Sequence, residues 1–275
     1  MATRRWFYFI PSTGEPVKIC HRIEADALDH LPGRRVLYSG WQELGHHLEA
    51  TLTGAPRIAM QYSPGNAIPY ISRVDAGTLE MVAATGTKVA TSADLVQTFE
   101  AVMTEWQVES HYAAARMLRE TVDLTFGEVR RRILSGAATT EFAIQQFMMA
   151  HFDSLGFTAD HAPIVAVNEH AGQPHYLPGR EGSSPIRRGD LLLIDLWARR
   201  KDPEAIYADI TWTGFVDTVV PDRQQQIFQI VRGGRDAAAK HVQEAISSGR
   251  AIAGKEADDV AREYIRARGY GEQFT

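Results

Sequence analysis

Two aspartates, Asp195 and Asp209, stand in the segment of this chain best suited to chemistry. The run Asp190-Leu-Leu-Leu-Ile-Asp195-Leu-Trp-Ala198 is aliphatic and aromatic, and so is Ile206-Tyr-Ala-Asp209-Ile-Thr211-Trp-Thr213-Gly-Phe215. Both compositions favour strands. The polar stretch 199–205 between them carries Asp202-Pro203, a turn signal. An antiparallel hairpin follows. With its turn centred on residue 202, Asp195 and Asp209 are equidistant from it and oppose each other. Opposed side chains share a face, with Cβ atoms about 5 Å apart. Leu191, Leu193 and Trp197 join that face from one strand, and Tyr207, Thr211 and Thr213 from the other.

Two carboxylates on a mostly apolar face repel, and burial pushes the pKa of one of them up. A divalent cation offsets both effects, because carboxylate oxygens are good ligands for hard ions. Two ions bridged by shared carboxylates form a hydrolytic arrangement. The structural alternative is an aspartate that caps a turn or pairs with Arg187, Arg188, Arg199 or Arg200. A one-residue slip of register would also part the two aspartates to opposite faces.

A second group of polar residues lies upstream. Val165-Ala-Val-Asn168-Glu169-His170-Ala-Gly172-Gln-Pro174-His175-Tyr176-Leu-Pro178-Gly179 leaves an apolar strand and enters a loop rich in glycine and proline. Loops held by a rigid scaffold often carry function. His175, between Pro174 and Tyr176, is the better candidate of the two histidines. A neutral imidazole there can donate to a carbonyl or to a developing oxyanion; the alternative is a structural or surface histidine. His21, His46, His47, His111, His151 and His241 have only the structural reading. No nucleophile elbow, H-E-x-x-H, G-x-G-x-x-G or phosphate-binding loop is present. Cys20 and His21 are adjacent on a predicted strand and so point opposite ways.

The elements that position these residues follow from pattern. Short strands and turns fill the first hundred residues: Trp6 to Ile10, Pro16 to Ile23, Arg35 to Tyr38, Arg57 to Tyr62 and Leu79 to Val82. Trp41 to Leu52 has helical spacing, with Leu44, Leu48 and Leu52 on one face. Ser92 opens a helix, 105–134 is a long one, and Thr140 caps another. Two more helices span 222–248 and 255–268. Gly233-Gly234 inside the first of these is unfavourable by about 1 kcal/mol per glycine. Strands alternating with helices indicate an α/β (α+β) chain. A first domain over 1–100 and a second over 101–275 are expected.

Composition bounds the rest. The chain has 275 residues, 44% hydrophobic and 23% charged, as in soluble globular proteins. A net charge of −5 gives no electrostatic reason for nucleic acid or an anionic membrane as partner. The single cysteine excludes an internal disulfide and fits a cytoplasmic location. The apolar run after Arg4-Arg5 is too short for a signal peptide, and no stretch approaches the roughly 18 apolar residues of a membrane span.

Together these residues resemble the pita-bread metallopeptidases, a family of Xaa-Pro aminopeptidases, prolidases, methionine aminopeptidases and the metal-free creatinases. Gly189 to Ala198 with Tyr207 to Thr213 resembles their paired-aspartate hairpin, and Gly172-Gln-Pro174-His175-Tyr176 their substrate-binding histidine loop. Tyr62-Ser-Pro-Gly-Asn66-Ala-Ile-Pro69 and Ser92-Ala-Asp94-Leu resemble the creatinase-type amino-terminal domain of the Xaa-Pro branch.

The resemblance implies a partial creatinase-type domain followed by an incomplete pita-bread domain. It makes Asp195 the ligand of one metal ion and Asp209 the bridge between two divalent ions: manganese first, cobalt or zinc as alternatives. His175 would contact substrate or stabilise the tetrahedral intermediate. The substrate would be a peptide with proline at its second position, and the protein a homodimer. One histidine and two glutamates that complete the family's ligand set would lie beyond Gly269 to Thr275, so the chain is expected to be a fragment without peptidase activity of its own. A non-catalytic pita-bread module that binds a protein partner, and a creatinase-like amidinohydrolase, are the competing expectations.

Overall fold

Alternation of strands and helices builds the first of the two units into which the chain divides, Met1–Met103 and Thr104–Thr275. The computed structural model describes residues 3–273. Met1 and Ala2 of the basic start lie outside the described residues. So do Phe274 and Thr275, the last residues of the stretch beyond which the remaining ligands are expected.

In the first unit, strands β1 (Phe7–Phe9), β2 (Val17–His21) and β3 (Arg34–Tyr38) form one sheet, antiparallel then parallel. Helix α1 (Trp41–Leu52) buries Leu44, Leu48 and Leu52, the stripe its spacing predicts. Leu44 and Leu48 close a small core with Val17, Ile19 and Tyr38. Strand β4 (Arg57–Met60) pairs in parallel with the later β5 (Lys88–Thr91), across helix α2 (Ala76–Ala83).

Helix α2 corrects the strand expected over Leu79 to Val82. The Asp75 side chain accepts from the Thr78 backbone N–H at 2.9 Å and so starts a helix through these residues. Helix α3 (Ala93–Glu100) closes the unit. Cys20 is buried, and burial pushes its thiol pKa up. That is the state of an inert structural cysteine.

The second unit opens with helix α4 (Glu105–Ser135), begun by a capping box in which Thr104 and Gln107 exchange hydrogen bonds. Helix α5 (Glu141–Ser154) starts at the Thr140 cap. Four antiparallel strands follow: β6 (Phe157–Thr158), β7 (Ile164–Val167), β8 (Leu191–Arg200) and β9 (Ala208–Phe215). β8 is central, flanked by β9 on one edge and by β6 and β7 on the other. Its even-numbered residues Leu192, Ile194, Leu196 and Ala198 are wholly buried, and they join Leu118, Val122, Ile144, Met148 and Phe152 of α4 and α5 in one core. By period two, the odd-numbered residues Leu191 to Arg199 turn to the opposite face.

Two sets of glycines allow close approach. A Cβ on Gly214 of β9 would lie 2.4 Å from Phe126 Cε1 of α4. Helices α6 (Asp222–Ser247) and α7 (Gly254–Arg266) pack on each other. There, a Cβ on Gly233 would lie 2.2 Å from the Tyr264 hydroxyl, and one on Gly234 would lie 3.1 Å from Ile265. The glycine pair that costs helix propensity is what lets the two helices touch.

Gly214→Ala should therefore destabilise the second unit by about 1–3 kcal/mol through overpacking. Chemical denaturation would measure the loss. Combining it with Phe126→Leu should recover part of it, whereas purely additive losses would show that the contact is not the cause.

Candidate active site

Asp195 and Asp209 are placed by the β8–β9 hairpin, but not directly opposite each other. Asp195 pairs with Thr211, and Trp197 pairs with Asp209. The pairing is centred on residue 203, so the register differs by two residues from one centred on 202. The loop explains the shift. β8 runs on to Arg200, and Lys201 to Tyr207 are looped out. Asp202 forms a local turn, its side chain accepting from the Glu204 N–H and its N–H donating to the Arg200 carbonyl.

A two-residue shift keeps the face. Asp195 and Asp209 become diagonal neighbours, about 7 Å apart at Cα. They lie on the face turned away from the core, with Asp209 exposed and Asp195 half-buried. That differs from the mostly apolar, buried face expected: the core has taken the even-numbered side of β8.

The start of β9 is fixed from α4. Tyr207 O accepts from His111 Nδ1 at 2.7 Å, and the Ile206 N–H donates to Ser110 Oγ at 3.0 Å. Thr211 donates to Asp195 Oδ1 at 2.5 Å. Among the described residues, no lysine or arginine pairs with either aspartate. Arg188 pairs with Asp217, and Arg199 reaches the Asp202 carbonyl while stacking over Tyr207. The arginine alternative is thus not what the structure shows. Desolvation by the surrounding cleft, and behind it the charge of Asp195, hold the Asp209 carboxyl above its ordinary pKa.

A cleft of about 430 Å³ brings the predicted residues together: Asp195, Asp209 and His175 all line it. Pro174, Ile164, Trp197 and Tyr207 supply apolar and aromatic walls, and Asp160 and His161 complete the rim. Reasoning from sequence passed over Asp160. The Trp197 indole donates to its Oδ1 at 2.9 Å, and this hydrogen bond is the main cause holding the Asp160 carboxyl below its ordinary pKa. The only signal was its place in the polar break between two strands.

His170 is not in the cleft. Its Nδ1 donates to Glu141, a fully buried carboxylate at the first turn of α5. Glu141 also accepts from Val167 N, Tyr176 Oη and Ser184 N. Burial, then the bond to Glu141, push the Tyr176 hydroxyl up to about 12.

The donor set suits a hard cation as far as it goes. Two carboxylates share one open face, and among the described residues no lysine or arginine balances them. Among the described residues, no group of three or more histidine, cysteine, aspartate or glutamate side chains could hold a metal ion. In the described chain, no helix is long and apolar enough to cross a membrane.

Comparisons with known proteins bear on this arrangement. The model of metallopeptidase family M24 matches residues 107–275. A Xaa-Pro dipeptidase of Pyrococcus furiosus is 35% identical over 111 residues, which are 40% of this chain and 28% of that enzyme. Among solved structures, a prolidase from Thermococcus sibiricus is similar in fold with a TM-score of 0.55 at 19% identity, covering 98% of this chain and 68% of that one. An X-prolyl aminopeptidase from Caenorhabditis elegans, described as a cytosolic enzyme with a di-nuclear active site, matches with a TM-score of 0.58 at 19% identity. That match covers 96% of this chain and 41% of the nematode chain.

The raised Asp209 pKa has a sign that can be tested. The folded state holds this proton more tightly than the unfolded state does. Ionised Asp209 is therefore a penalty at neutral pH, and it is relieved as the pH falls through the raised value. In chelator-treated protein, Asp209→Asn should stabilise the fold at pH 7 by at most about 1 kcal/mol, because water screens an exposed pair. The gain should shrink as pH drops below Asp209's titration. Thermal melts of both proteins across that range measure it, and a gain constant with pH would rule out the ionisation of Asp209 as its source.

Proposed function

The chain belongs to metallopeptidase family M24, and we propose that it carries the aspartate pair and the substrate histidine of an enzyme that hydrolyses the peptide bond before proline. The observation that supports this most is the convergence of Asp195, Asp209 and His175 on one cleft, from two strands and a loop. Asp195 and Asp209 would hold divalent metal, manganese before cobalt or zinc. Bound there, the metal would supply the Lewis acidity that lowers the pKa of water.

The chain's own groups do the rest. Thr211 orients Asp195 through its hydroxyl. His175, exposed at the cleft mouth, meets the substrate carbonyl and donates to its oxygen as negative charge develops. Pro174, Ile164, Trp197 and Tyr207 offer a rigid apolar wall to the proline ring. The first unit is proposed to be of creatinase type, and the protein a cytoplasmic homodimer.

A second reading keeps one observation in its favour. The described residues bring no third metal ligand to the aspartates. This is the arrangement expected of a non-catalytic module of the same fold that binds a protein partner.

Two measurements separate the readings. Calorimetric titration of the chain with manganese should show binding, with a Kd of roughly millimolar for two carboxylate ligands. Asp195→Asn and Asp209→Asn should each weaken it about tenfold or more; binding indifferent to both would remove these residues from the site. The protein purified at its native length from its own cells should cleave Ala-Pro peptides with manganese, and should leave Ala-Ala peptides and creatine intact. No cleavage under these conditions would give the lead to the binding module.

A further inference from the structure

We propose that Glu141 is the positioning residue of the cleft: a single buried carboxylate that ties both legs of the 168–186 loop to helix α5 and thereby fixes His175. The proposal rests on the peptidase reading only for what His175 does there.

Four donors converge on Glu141, two on each oxygen. Oε1 accepts from Val167 N at 2.8 Å and from His170 Nδ1 at 2.9 Å. Oε2 accepts from Tyr176 Oη at 2.6 Å and from Ser184 N at 2.9 Å. The residue is 0% exposed. An isolated carboxylate at such depth would be costly; four donors and the first turn of a helix offset that cost.

The four donors are spread along the loop rather than clustered. Val167 ends β7, His170 and Tyr176 flank the outgoing leg, and Ser184 lies on the returning one. The returning leg has further ties to the start of α5 and to the residue before its cap: Glu141 N to Ser184 O, Phe142 N to Ser183 Oγ, and Ile186 N to Thr139 O. The outgoing leg around His175 has fewer. His170 stacks on Tyr176 with ring centroids 4.1 Å apart, and backbone turns link His170 to Gln173 and Gln173 to Tyr176. The two rings that bracket this run meet α5 through Glu141. His175 is exposed between Pro174 and Tyr176, so the anchor of its neighbour sets where its imidazole stands.

The charge state matters as well as the volume. In glutamine, one of the two oxygens becomes an NH₂ donor. It would face a donor that cannot turn round, the N–H of Ser184 or of Val167, and leave it unsatisfied. Glu141→Gln should therefore loosen the loop with little change in shape.

The test uses the 275-residue chain for dynamics and the protein purified at native length for activity. In Glu141→Gln and in Tyr176→Phe, amide exchange over 168–186 should rise about tenfold, while amides of α4 and β8 exchange as in the wild type. With an Ala-Pro peptide, kcat should fall about tenfold with KM within about twofold. In a His175→Ala background, Glu141→Gln should cost no further activity, because it acts through that ring.

Loop exchange unchanged in both variants would overturn the proposal. So would a full extra loss on top of His175→Ala. Should Glu141→Gln fail to fold, Tyr176→Phe, which leaves the carboxylate three donors, decides alone. Should the wild type cleave no proline peptide, the peptidase reading fails separately. The NMR signal of the His175 ring then decides the positioning claim: broadening in the variants supports it, and an unchanged line overturns it.

Discussion

Everything at the site depends on the two-sidedness of β8. Leu192, Ile194, Leu196 and Ala198 are wholly buried against α4 and α5, and the odd-numbered residues between them face the other way. Burying Leu192, Ile194 and Leu196 is worth several kcal/mol, at about 1.5–3 kcal/mol each. That sum far exceeds the cost of holding two partly solvated carboxylates near each other. Core packing therefore decides the register, and Asp195 follows. A one-residue slip would bury Asp195 and expose Leu196, which the same energetics forbid. The close passage of Gly214 under Phe126 ties β9 to the same helix, so Asp209 is held by packing as well.

Two carboxylate problems are solved in opposite ways within the second unit. Glu141 is fully buried and receives four hydrogen bonds from the protein. Among the described residues, Asp195 receives one, from Thr211, and Asp209 receives none. The fold thus satisfies the carboxylate that holds structure and leaves under-satisfied the pair that faces the cleft. Under-satisfaction on an open, rigid face is the condition in which an external cation gains most.

Much of the scaffold is written locally. The stripe Leu44, Leu48, Leu52 and the cap Thr140 each depend on residues within a turn or two, so pattern finds them. The hairpin and the shared face of its aspartates are legible for the same reason. The two-residue register shift was not, because an Asp202-Pro203 turn signal does not say how many residues loop out. Leu79 to Val82 looks like a strand when read alone, and the Asp75 cap four residues earlier makes it helical. Gly233-Gly234 makes no sense until Tyr264 and Ile265 lie against it.

Glu141 was the least legible of all. In sequence it is a favourable acidic residue in a helix's first turn, directly after a capping threonine. Its four partners lie 26 to 43 residues downstream. No spacing rule connects them, since the loop that carries them has no period. The division of labour follows from this. The aspartate pair sits on a hairpin whose geometry is fixed by the core, so it tolerates a plain sequence reading. The histidine sits on a loop with little core of its own, so its position is determined by a distant buried charge. Where a reacting group stands on a loop, the residue that decides its precision is to be sought in the hydrogen bonds beneath it rather than in the sequence beside it.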